Sequence, residues 1–233
     1  MGTDGDPREM AERAARLASA GAIGASVAHE LRNAITGAMT GFTALRTGHV
    51  GINSRTAEAV ERSLRSTRDL VEQMLVDARL ASGQAADRVS LNVRDVVCNV
   101  CATVPVERNI VVRVSIPEDL EISAEENLLT IALRNLIHNG VKFSRDGGVV
   151  EARAKRGADA TIVEVEDECG GLDDRTISDL FRPFTSRRHS DRTGVGLGLA
   201  ITRRAIEAHG GSIHVTNMSG KGCVFWFELP DNR

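Results

Sequence analysis

Two stretches in the first third of the chain carry apolar residues at helical spacing. Residues 8 to 47 are rich in Ala and Arg, and their apolar positions recur mostly at steps of three and four, which predicts one helix with an apolar stripe. Residues 54 to 82 repeat apolar positions at alternating steps of four and three, the spacing of a coiled-coil seam. The stripe is formed by Leu17, Val27, Leu31, Ala34, Ala38 and Leu45, and the seam by Val60, Leu64, Thr67, Val71, Met74 and Ala78.

A turn that contains Gly48, Gly51 and Asn53 separates these two helices, so the pattern predicts a helical hairpin. Two antiparallel helices cannot bury two such seams and remain monomeric. We therefore expect this region to form a homodimer in which two hairpins pack as a four-helix bundle.

The apolar period changes after a polar segment at residues 83 to 90, which we interpret as a short linker. Beyond it, helix-like and strand-like patterns mix, which indicates an α/β or α+β domain. We therefore expect two domains, at residues 1–83 and 88–233. The predicted helices span about residues 92 to 104, 125 to 141 and 197 to the glycines at 210 and 211, and the predicted strands span 110 to 116, 149 to 155, 161 to 167, 212 to 217 and 223 to 229.

Composition narrows the class of protein. The chain has 233 residues, a formal net charge of −3 and 42 % hydrophobic residues. A nearly neutral chain argues against a nucleic-acid or membrane-surface binder, which would carry a basic face. No apolar run approaches the roughly 20 residues that span a bilayer, and the polar N-terminus lacks the apolar core of a secretory signal. We expect a cytoplasmic protein without direct membrane insertion.

Four cysteines are present, and two of them, Cys98 and Cys101, form a CxxC pair. A structural zinc site would need two further ligands at matching spacing, and a thioredoxin-like site would lie where a helix follows a strand. The pair instead falls within an amphipathic helical pattern. We predict buried, reduced core thiols, with redox or metal binding as the alternatives.

His29 lies in the segment SVAHELRN of the first predicted helix, two residues from Val27 and two from Leu31. Each step of two turns the helix by about 200°, so His29 faces away from the apolar stripe. A neutral imidazole is a good nucleophile, Glu30 can fix its tautomer, and Asn33 lies one turn away on the same face and can hold a water. An ordinary surface histidine is the alternative.

The segment NLIHNGVKFS places Asn135, Asn139 and Lys142 on one helical face. An amide oxygen is a hard neutral ligand suited to Mg²⁺, and a lysine ammonium is a point charge for phosphate. An ordinary polar helix face is the alternative. We predict Asn139 as the metal ligand.

Two glycine-containing segments follow. VEDECGGL ends a predicted strand at Asp167, whose carboxylate can accept a hydrogen bond from an exocyclic amine, and nearby glycines let the backbone approach a ring. TGVGLGLAI opens a helix at which Gly194, Gly196 and Gly198 can present backbone N–H groups to phosphates. A polar loop rather than a strand precedes this segment, so it is not a dinucleotide-binding fingerprint.

These blocks together resemble the sensor histidine kinases of two-component systems. SVAHELRN is similar to their phosphoacceptor motif, NLIHNGVKFS to their N box, VEDECGGL to the D-x-G-x-G block, LFRPF to the F box and TGVGLGLAI to the second glycine box. The order is that of the family, and the resemblance covers about residues 16 to 230. Ala34 stands where the family has Pro, so a helix bend would have to come from elsewhere, for example Gly37 and Gly41. Cys169 stands where the first glycine of D-x-G-x-G is expected.

The resemblance implies a dimerising, phosphoacceptor helical hairpin followed by an ATP-binding domain of the GHKL (Bergerat) α/β sandwich fold. It implies that His29 is phosphorylated from ATP with help from Glu30, that Asn33 supports the reverse phosphatase reaction, and that Asn139 binds Mg²⁺. It further assigns nucleotide contacts to Asn135, Lys142, Asp167, Gly171, Arg187, Arg188, Gly194, Gly196 and Gly198, with Arg192 as a further candidate and Phe181 and Phe184 as packing residues. Solvated surface arginines are the alternative for the three arginines.

The implied partners are a response-regulator receiver domain, a second copy of the chain and an upstream sensor domain or protein. Input would reach the hairpin through residues 8 to 20, either from a partner or from a longer chain of which this is a piece. Two other classes of protein remain open: an ATP-independent histidine phosphotransferase or scaffold, and another GHKL-type ATPase.

Overall fold

The structure, a computed structural model, describes residues 35–44, 47, 87–106, 108–183 and 196–231, together with positions 56, 57, 59, 60, 63, 64, 67, 71 and 76. The chain divides into two compact units, Met1–Leu75 and Val76–Arg233. The domain limits inferred from the sequence, 1–83 and 88–233, stay predictions.

Apart from Thr47, which lies in a turn, the described part of the first unit is helical. Residues 35–44 form one helical segment, and the described positions of the second segment are helical as well. A Cβ on Gly37 would lie 2.9 Å from Oγ of Ser63, and a Cβ on Gly41 would lie 2.3 Å from Cγ2 of Val60. From Gly37 to Gly41 the residue numbers rise along the first segment, while the contacted positions fall from Ser63 to Val60 along the second. The two segments therefore pack antiparallel. The two glycines permit this close helix–helix approach.

The described part of the second unit contains both strands and helices. In chain order they are β1 (Val89–Asn92), α1 (Val93–Thr103), β2 (Val111–Ser115), β3 (Glu121–Ala124), α2 (Glu126–Phe143), β4 (Val149–Arg156), β5 (Ala160–Asp167), α3 (Asp174–Asp179), α4 (Gly198–Ala208), β6 (Ser212–Met218) and β7 (Gly222–Pro230).

Five of the strands form one mixed sheet in the order β2-β4-β5-β7-β6, and β1 pairs with β3 in a separate two-stranded sheet. The β2–β4 pair is parallel, whereas β4–β5, β5–β7 and β6–β7 are antiparallel. Helix α2 packs on this sheet, since a Cβ on Gly140 would lie 2.9 Å from Cγ1 of Val150. The arrangement is the α/β sandwich that the sequence predicts for this region.

Burial alternates along β5 with the period of two that a strand imposes. Thr161, Val163, Val165 and Asp167 are buried, whereas the intervening side chains are partly exposed. Asp167 is therefore the last inward-facing position of the strand. A carboxylate thus occupies an inward-facing position like those of Val163 and Val165 earlier in the strand.

Helices α2 and α4 supply much of the core above the sheet, with Leu129, Leu133, Leu136 and Ile137 of α2 fully buried beside Ile201 and Ile206 of α4. His209, at the end of α4, fixes the two helices to each other. Its Nε2 accepts from the N–H of Glu125 at 2.9 Å, and its Nδ1 lies 2.6 Å from the carbonyl of Ala205. Burial lowers the pKa of His209, so the neutral ring makes both bonds.

Most predicted elements of the second unit are confirmed within one or two residues, including α2, β4, β5 and α4. The pattern missed β1, β3 and α3, which are only four to six residues long, although Asp173 caps α3 by accepting from the N–H of Thr176. The predicted linker is wrong at its end, because Val89 and Ser90 already belong to β1. Among the described residues, no helix combines the length and the apolar character needed to cross a membrane.

The prediction of buried core thiols for the CxxC pair is wrong in part. Cys98 is exposed and Cys101 is partly exposed, and both are free thiols. They lie on helix α1 as predicted. The buried stripe of that helix, however, consists of Val93, Val96, Val97 and Val100, which leaves the cysteines off the core face.

Candidate functional site

The carboxylate of Asp167 is the centre of the candidate site. Its side chain is 2 % exposed at the end of β5. Oδ1 accepts hydrogen bonds from the N–H groups of Cys169 at 3.1 Å and Cys223 at 3.0 Å. Oδ2 is buried and has no hydrogen-bond partner among the described residues. A buried polar atom without a partner is costly, so this oxygen is an acceptor available to a ligand.

Burial raises the pKa of Asp167 to about 7, with a further upward contribution from the Cys169 side chain. The two backbone N–H donors act in the opposite direction but do not offset the loss of water. The carboxyl group therefore changes its protonation state near neutral pH. Perturbed groups of this kind are common at functional sites.

Helix α2 lies against Asp167. A Cβ on Gly140 would be in ordinary contact with the Cβ of Asp167 at 3.7 Å, but only 2.9 Å from Cγ1 of Val150, so the close approach of α2 to β4 is what favours glycine here. Asn139 precedes Gly140 and is half-buried. Lys142 follows it, with Nζ 4.8 Å from the centre of the Phe143 ring. The amide and the ammonium are thus held at the end of α2, next to β5.

Asn135 lies one turn before Asn139 and joins α2 to the start of α4. Its Nδ2 donates to the carbonyl of Gly198 at 3.1 Å, and a Cβ on Gly198 would lie 3.5 Å from the Asn135 amide. Gly196, two residues earlier, has a φ of +73°, which favours glycine. The structure therefore brings Asn135 and Gly198 together at the N-terminus of α4, two residues after Gly196.

The loop after β5 shows how a cysteine replaces the expected first glycine. Gly170 and Gly171 have φ values of +82° and +92°, whereas Cys169 is not among the residues with positive φ. The left-handed conformations thus fall on the two glycines. The glycine of D-x-G-x-G is therefore not required by the backbone at position 169.

This loop is tied to the turn between β6 and β7. Asn217 accepts from the N–H of Leu172 at 2.9 Å and donates to its carbonyl at 2.8 Å. Gly170 donates to the carbonyl of Lys221 at 3.0 Å. A cavity of about 480 Å³ opens beside it, lined by Phe143, Arg145, Glu166, Asp167, Glu168, Cys169, Gly170, Met218, Gly220 and Lys221.

Arg108 holds the C-terminal end of α2, a role that the sequence did not predict. Its guanidinium donates to the carbonyls of Val141 at 2.7 Å, Lys142 at 2.8 Å and Ser144 at 3.1 Å. These carbonyls belong to the C-terminal end of α2, where a cation is favourable. Arg108 lies more than thirty positions earlier in the chain, so no local signal could have identified it.

Several predicted site residues lie outside the described part of the chain: His29, Glu30, Asn33, Phe184, Arg187, Arg188, Arg192 and Gly194. Among the described residues, Asn135 contacts Gly198. Asn139 and Lys142 lie on the stretch of α2 whose Gly140 is against Asp167, and Gly171 lies in the loop that follows Asp167. This group offers an acceptor for an amine, amide oxygens for a hard cation and a positive charge for an anion.

Residues 124–233 match the family described as histidine kinase-, DNA gyrase B-, and HSP90-like ATPase. Sporulation kinase A of Bacillus subtilis is 30 % identical over 226 residues, which cover 95 % of this chain and 36 % of that protein. The sensor histidine kinase ZraS of Salmonella typhimurium is 29 % identical over 226 residues, covering 94 % of this chain and 47 % of that protein.

Among solved structures, histidine kinase ThkA in complex with response regulator protein TrrA matches with a TM-score of 0.64 and 23 % identity, covering 97 % of this chain and 66 % of that one. This match shows the fold. The chain spans between 24 % and 56 % of the length of the curated relatives compared. Residues 124–233 are a domain of the histidine kinase-, DNA gyrase B-, and HSP90-like ATPase family, and the chain is a homologue of the sensor histidine kinases.

Proposed function

We propose that this chain is the core of an ATP-dependent protein histidine kinase. In this proposal residues 88–233 bind ATP with Mg²⁺, and residues 1–83 form the dimerising hairpin that carries the phosphoacceptor. His29 takes the γ-phosphoryl group, which then passes to an aspartate of a response-regulator receiver domain. The observation that carries the proposal is the buried Oδ2 of Asp167, which has no protein partner among the described residues.

The adenine end of the nucleotide is assigned to Asp167. The exocyclic amine of adenine is a donor, and Oδ2 is an acceptor without a competing protein donor in the described structure. Oδ1 is held by two backbone N–H groups, so the carboxylate is fixed before a ligand arrives. Gly171, with its φ of +92°, lets the loop after Asp167 lie close to the end of β6, where a Cβ would be 3.0 Å from Oδ1 of Asn217.

The phosphate end is assigned to the facing ends of α2 and α4. Asn139 would hold Mg²⁺ through its amide oxygen, and Asn135 keeps its Oδ1 available because Nδ2 is used by Gly198. The metal would supply charge neutralisation for the phosphate groups. Lys142 adds positive charge from the protein. Gly194, Gly196, Gly198, Arg187 and Arg188 are the remaining proposed contacts with the phosphates.

The chemistry on the protein side is nucleophilic attack by an imidazole. His29 in its neutral form attacks the γ-phosphorus, the bond from this phosphorus to the β,γ-bridging oxygen breaks, and ADP leaves. Glu30 fixes the tautomer and accepts the ring proton. Asn33 cannot accept a proton, so we assign it to positioning water in the reverse, phosphatase reaction. The phosphoryl group leaves with a receiver aspartate as the acceptor.

Assembly and partners follow from the exposed faces of the described helical segments. Ile35, Met39 and Phe42 recur at steps of four and three and are exposed in a single chain, and Leu64 and Val71 are exposed one heptad apart. Such faces need a cover, and a second hairpin supplies one in a four-helix bundle. The ThkA–TrrA complex supports a receiver domain as partner. We further propose a cytoplasmic location and an upstream sensor.

The test is phosphorylation with ATP labelled in the γ-phosphate, using the whole chain with Mg²⁺. Wild type is expected to acquire an acid-labile, base-stable label. His29→Ala is expected to remove the label, with His49→Ala as the matched control that keeps it. Asn139→Ala and Asp167→Asn are expected to lower labelling by about 100-fold or more, since each removes a charged or metal-binding contact.

The outcomes separate the remaining possibilities. Label retained in His29→Ala would remove His29 from the mechanism. Release of free phosphate without phosphoprotein would indicate another kind of ATPase, and absence of nucleotide binding would indicate a phosphotransfer protein or scaffold. Asn33→Ala is expected to keep the label and to lose phosphatase activity toward a phosphorylated receiver. Loss of the label in that variant would overturn the role given to Asn33.

A further inference from the structure

We propose that Asp167, Cys169 and Cys223 form a binding site for Zn²⁺. One ligand atom from each of the three residues lies within 4.8 Å of the other two. The two Sγ atoms are 3.6 Å apart. Two thiolates on one tetrahedral Zn²⁺, with Zn–S bonds of about 2.3 Å, are separated by about 3.8 Å, so the sulfur atoms already stand near the required spacing.

The strand register fixes this arrangement. Asp167 and Cys223 are Cα partners across the antiparallel β5–β7 pair. The N–H groups of Cys169 and Cys223 both donate to Oδ1 of Asp167, which holds all three residues around one carboxylate. Oδ2 is left buried and without a protein partner in the described structure, as a metal ligand requires.

Access and charge also fit a cation. Cys223 is fully buried, but Cys169 is only partly buried and lines the 480 Å³ cavity, from which water can fill a fourth coordination position. Two thiolates and a carboxylate bring three negative charges into a buried site, and a dication neutralises two of them. Binding releases the two thiol protons to solvent. Arg145, at the cavity wall, is paired with Glu168 at 2.8 Å.

The CxxC pair gives an internal comparison. Cys98 and Cys101 lie on the partly exposed side of α1, and within the residues that the structure describes no His, Asp or Glu completes a group with them. Spacing in the sequence would select the CxxC pair for a metal, whereas the fold selects two cysteines that are 54 positions apart. The pair is therefore a matched control in the same chain.

Zinc at this site would oppose nucleotide binding. This part of the inference rests on the proposed function, in which Oδ2 of Asp167 accepts from the adenine amine. An oxygen that coordinates a dication is no longer free for that bond, and the metal occupies the same corner. Zinc is therefore expected to act as an inhibitor that competes with the nucleotide.

The metal site is tested on the whole chain kept reduced with a phosphine, using Co²⁺ as a spectroscopic probe. Wild type is expected to show thiolate-to-cobalt charge-transfer absorption that saturates at one equivalent and is displaced by Zn²⁺. Cys169→Gly and Cys223→Ala are each expected to weaken this signal by about 100-fold in affinity. The Cys98→Ser/Cys101→Ser double variant is expected to match wild type.

Cys169→Gly is the most informative variant, because it installs the glycine expected in D-x-G-x-G and removes only a partly exposed side chain. Unchanged cobalt absorption in this variant, or its loss in the CxxC double variant, would overturn the proposal. Fluorescence of Trp226, the single tryptophan of the chain, reports whether the buried Cys223→Ala change leaves the domain folded. A Cys169–Cys223 disulfide formed under these reducing conditions would also overturn it.

Competition is measured as the affinity for a non-hydrolysable ATP analogue at buffered free Zn²⁺. Wild type is expected to lose affinity by tenfold or more, about 1.4 kcal/mol, and Cys169→Gly is expected to keep it. Cobalt binding without any nucleotide binding would support the metal site and contradict the proposed function. Nucleotide binding without the cobalt signal would contradict the metal site and leave the proposed function standing. Equal zinc sensitivity of the two proteins would contradict the competition.

Discussion

The carboxylates on the two faces of the β4–β5 strand pair lie in opposite electrostatic environments. On the outer face, Arg153 contacts Glu151 at 3.0 Å, Glu164 at 3.2 Å and Glu166 at 2.7 Å. On the inner face, Asp167 has no cationic partner and one of its oxygens is orphaned within the described structure. Glu166 and Asp167 are neighbours on β5, so the difference between their surroundings follows from the opposite directions of their side chains.

The pKa values follow this difference. A hydrogen bond from Ser115 lowers the pKa of Glu151, and Arg153 acts in the same direction. Partial burial acts to raise the pKa of Glu164, but the bonds from Lys155 and Arg153 outweigh it and the net shift is downward. Burial raises the pKa of Asp167 to about 7. The outer carboxylates support the fold, whereas the inner one costs stability at a place where a ligand can use it.

The largest expected effect comes from adding a side chain at Gly222, which lies against the main chain of Asp167. A Cβ at this position would lie 1.7 Å from the main-chain oxygen of Asp167, so β7 would have to move away from β5. We expect Gly222→Ala to cost about 3 kcal/mol or more in unfolding free energy, because the obstacle is backbone. Denaturant unfolding followed by Trp226 fluorescence measures it.

Gly220→Ala is the matched control for this change. Gly220 has a φ of +75°, and a Cβ there would have no heavy atom within 4 Å. Only the left-handed conformation is then penalised, which costs about 1–2 kcal/mol. Equal losses in the two variants would show that β7 does not approach Asp167 as closely as described.

The next effect is a pH dependence that isolates Asp167. The reference pKa is 3.8 and the folded value is about 7, so the unfolded state loses its proton first as the pH rises. Stability from the protonated carboxyl is thus fully present below about pH 4 and lost as the pH rises through about 7. We expect wild type to lose about 2–3 kcal/mol more than Asp167→Asn between about pH 5 and 8, measured with chelator and without nucleotide.

Glu164→Gln sharpens this test. The folded pKa of Glu164 is lowered, so its contribution is present above the unfolded pKa and is lost only as the pH falls through the lower folded value. The slope of this variant between about pH 5 and 8 is expected to equal that of wild type. A flattened slope in Glu164→Gln, or an unchanged slope in Asp167→Asn, would assign the titration to the wrong face.

The smallest effect is expected on the outer face. Arg153→Met removes the cation shared by three carboxylates, but the cluster is partly exposed, and Lys155 still contacts Glu164 at 3.0 Å. Ion pairs in water contribute little, so we expect a loss of about 1 kcal/mol or less that shrinks in high salt. Nucleotide affinity is expected to stay unchanged. A loss of several kcal/mol that salt does not reduce would place this face in the core.

Much of the second unit could be predicted because its signals are local. The alternation in β4 and β5 and the wide apolar stripe of α2 define those elements within a few residues. The order of the motifs led to the same family that the comparisons show. Burial of Cys98 was predicted because cysteine is among the residue types most often found in cores. The prediction is wrong because four valines occupy the buried face of α1, and Cys98 lies off that face.

What the sequence by itself determined is periodicity and motif order. It put Asp167 at the end of a strand, Asn135 and Asn139 on one helical face, and glycines before α4. Each of these depends only on residues a few positions apart.

Tertiary structure decided the rest, because it depends on pairing between distant segments. Only the register of β5 with β7 brings Cys223 beside Cys169 and removes water from Oδ2 of Asp167. Only the docking of α2 on the sheet places Arg108 at its C-terminal carbonyls. The pattern of apolar residues specifies which faces are buried. The partner of a buried polar group, however, depends on which distant segments pack against each other.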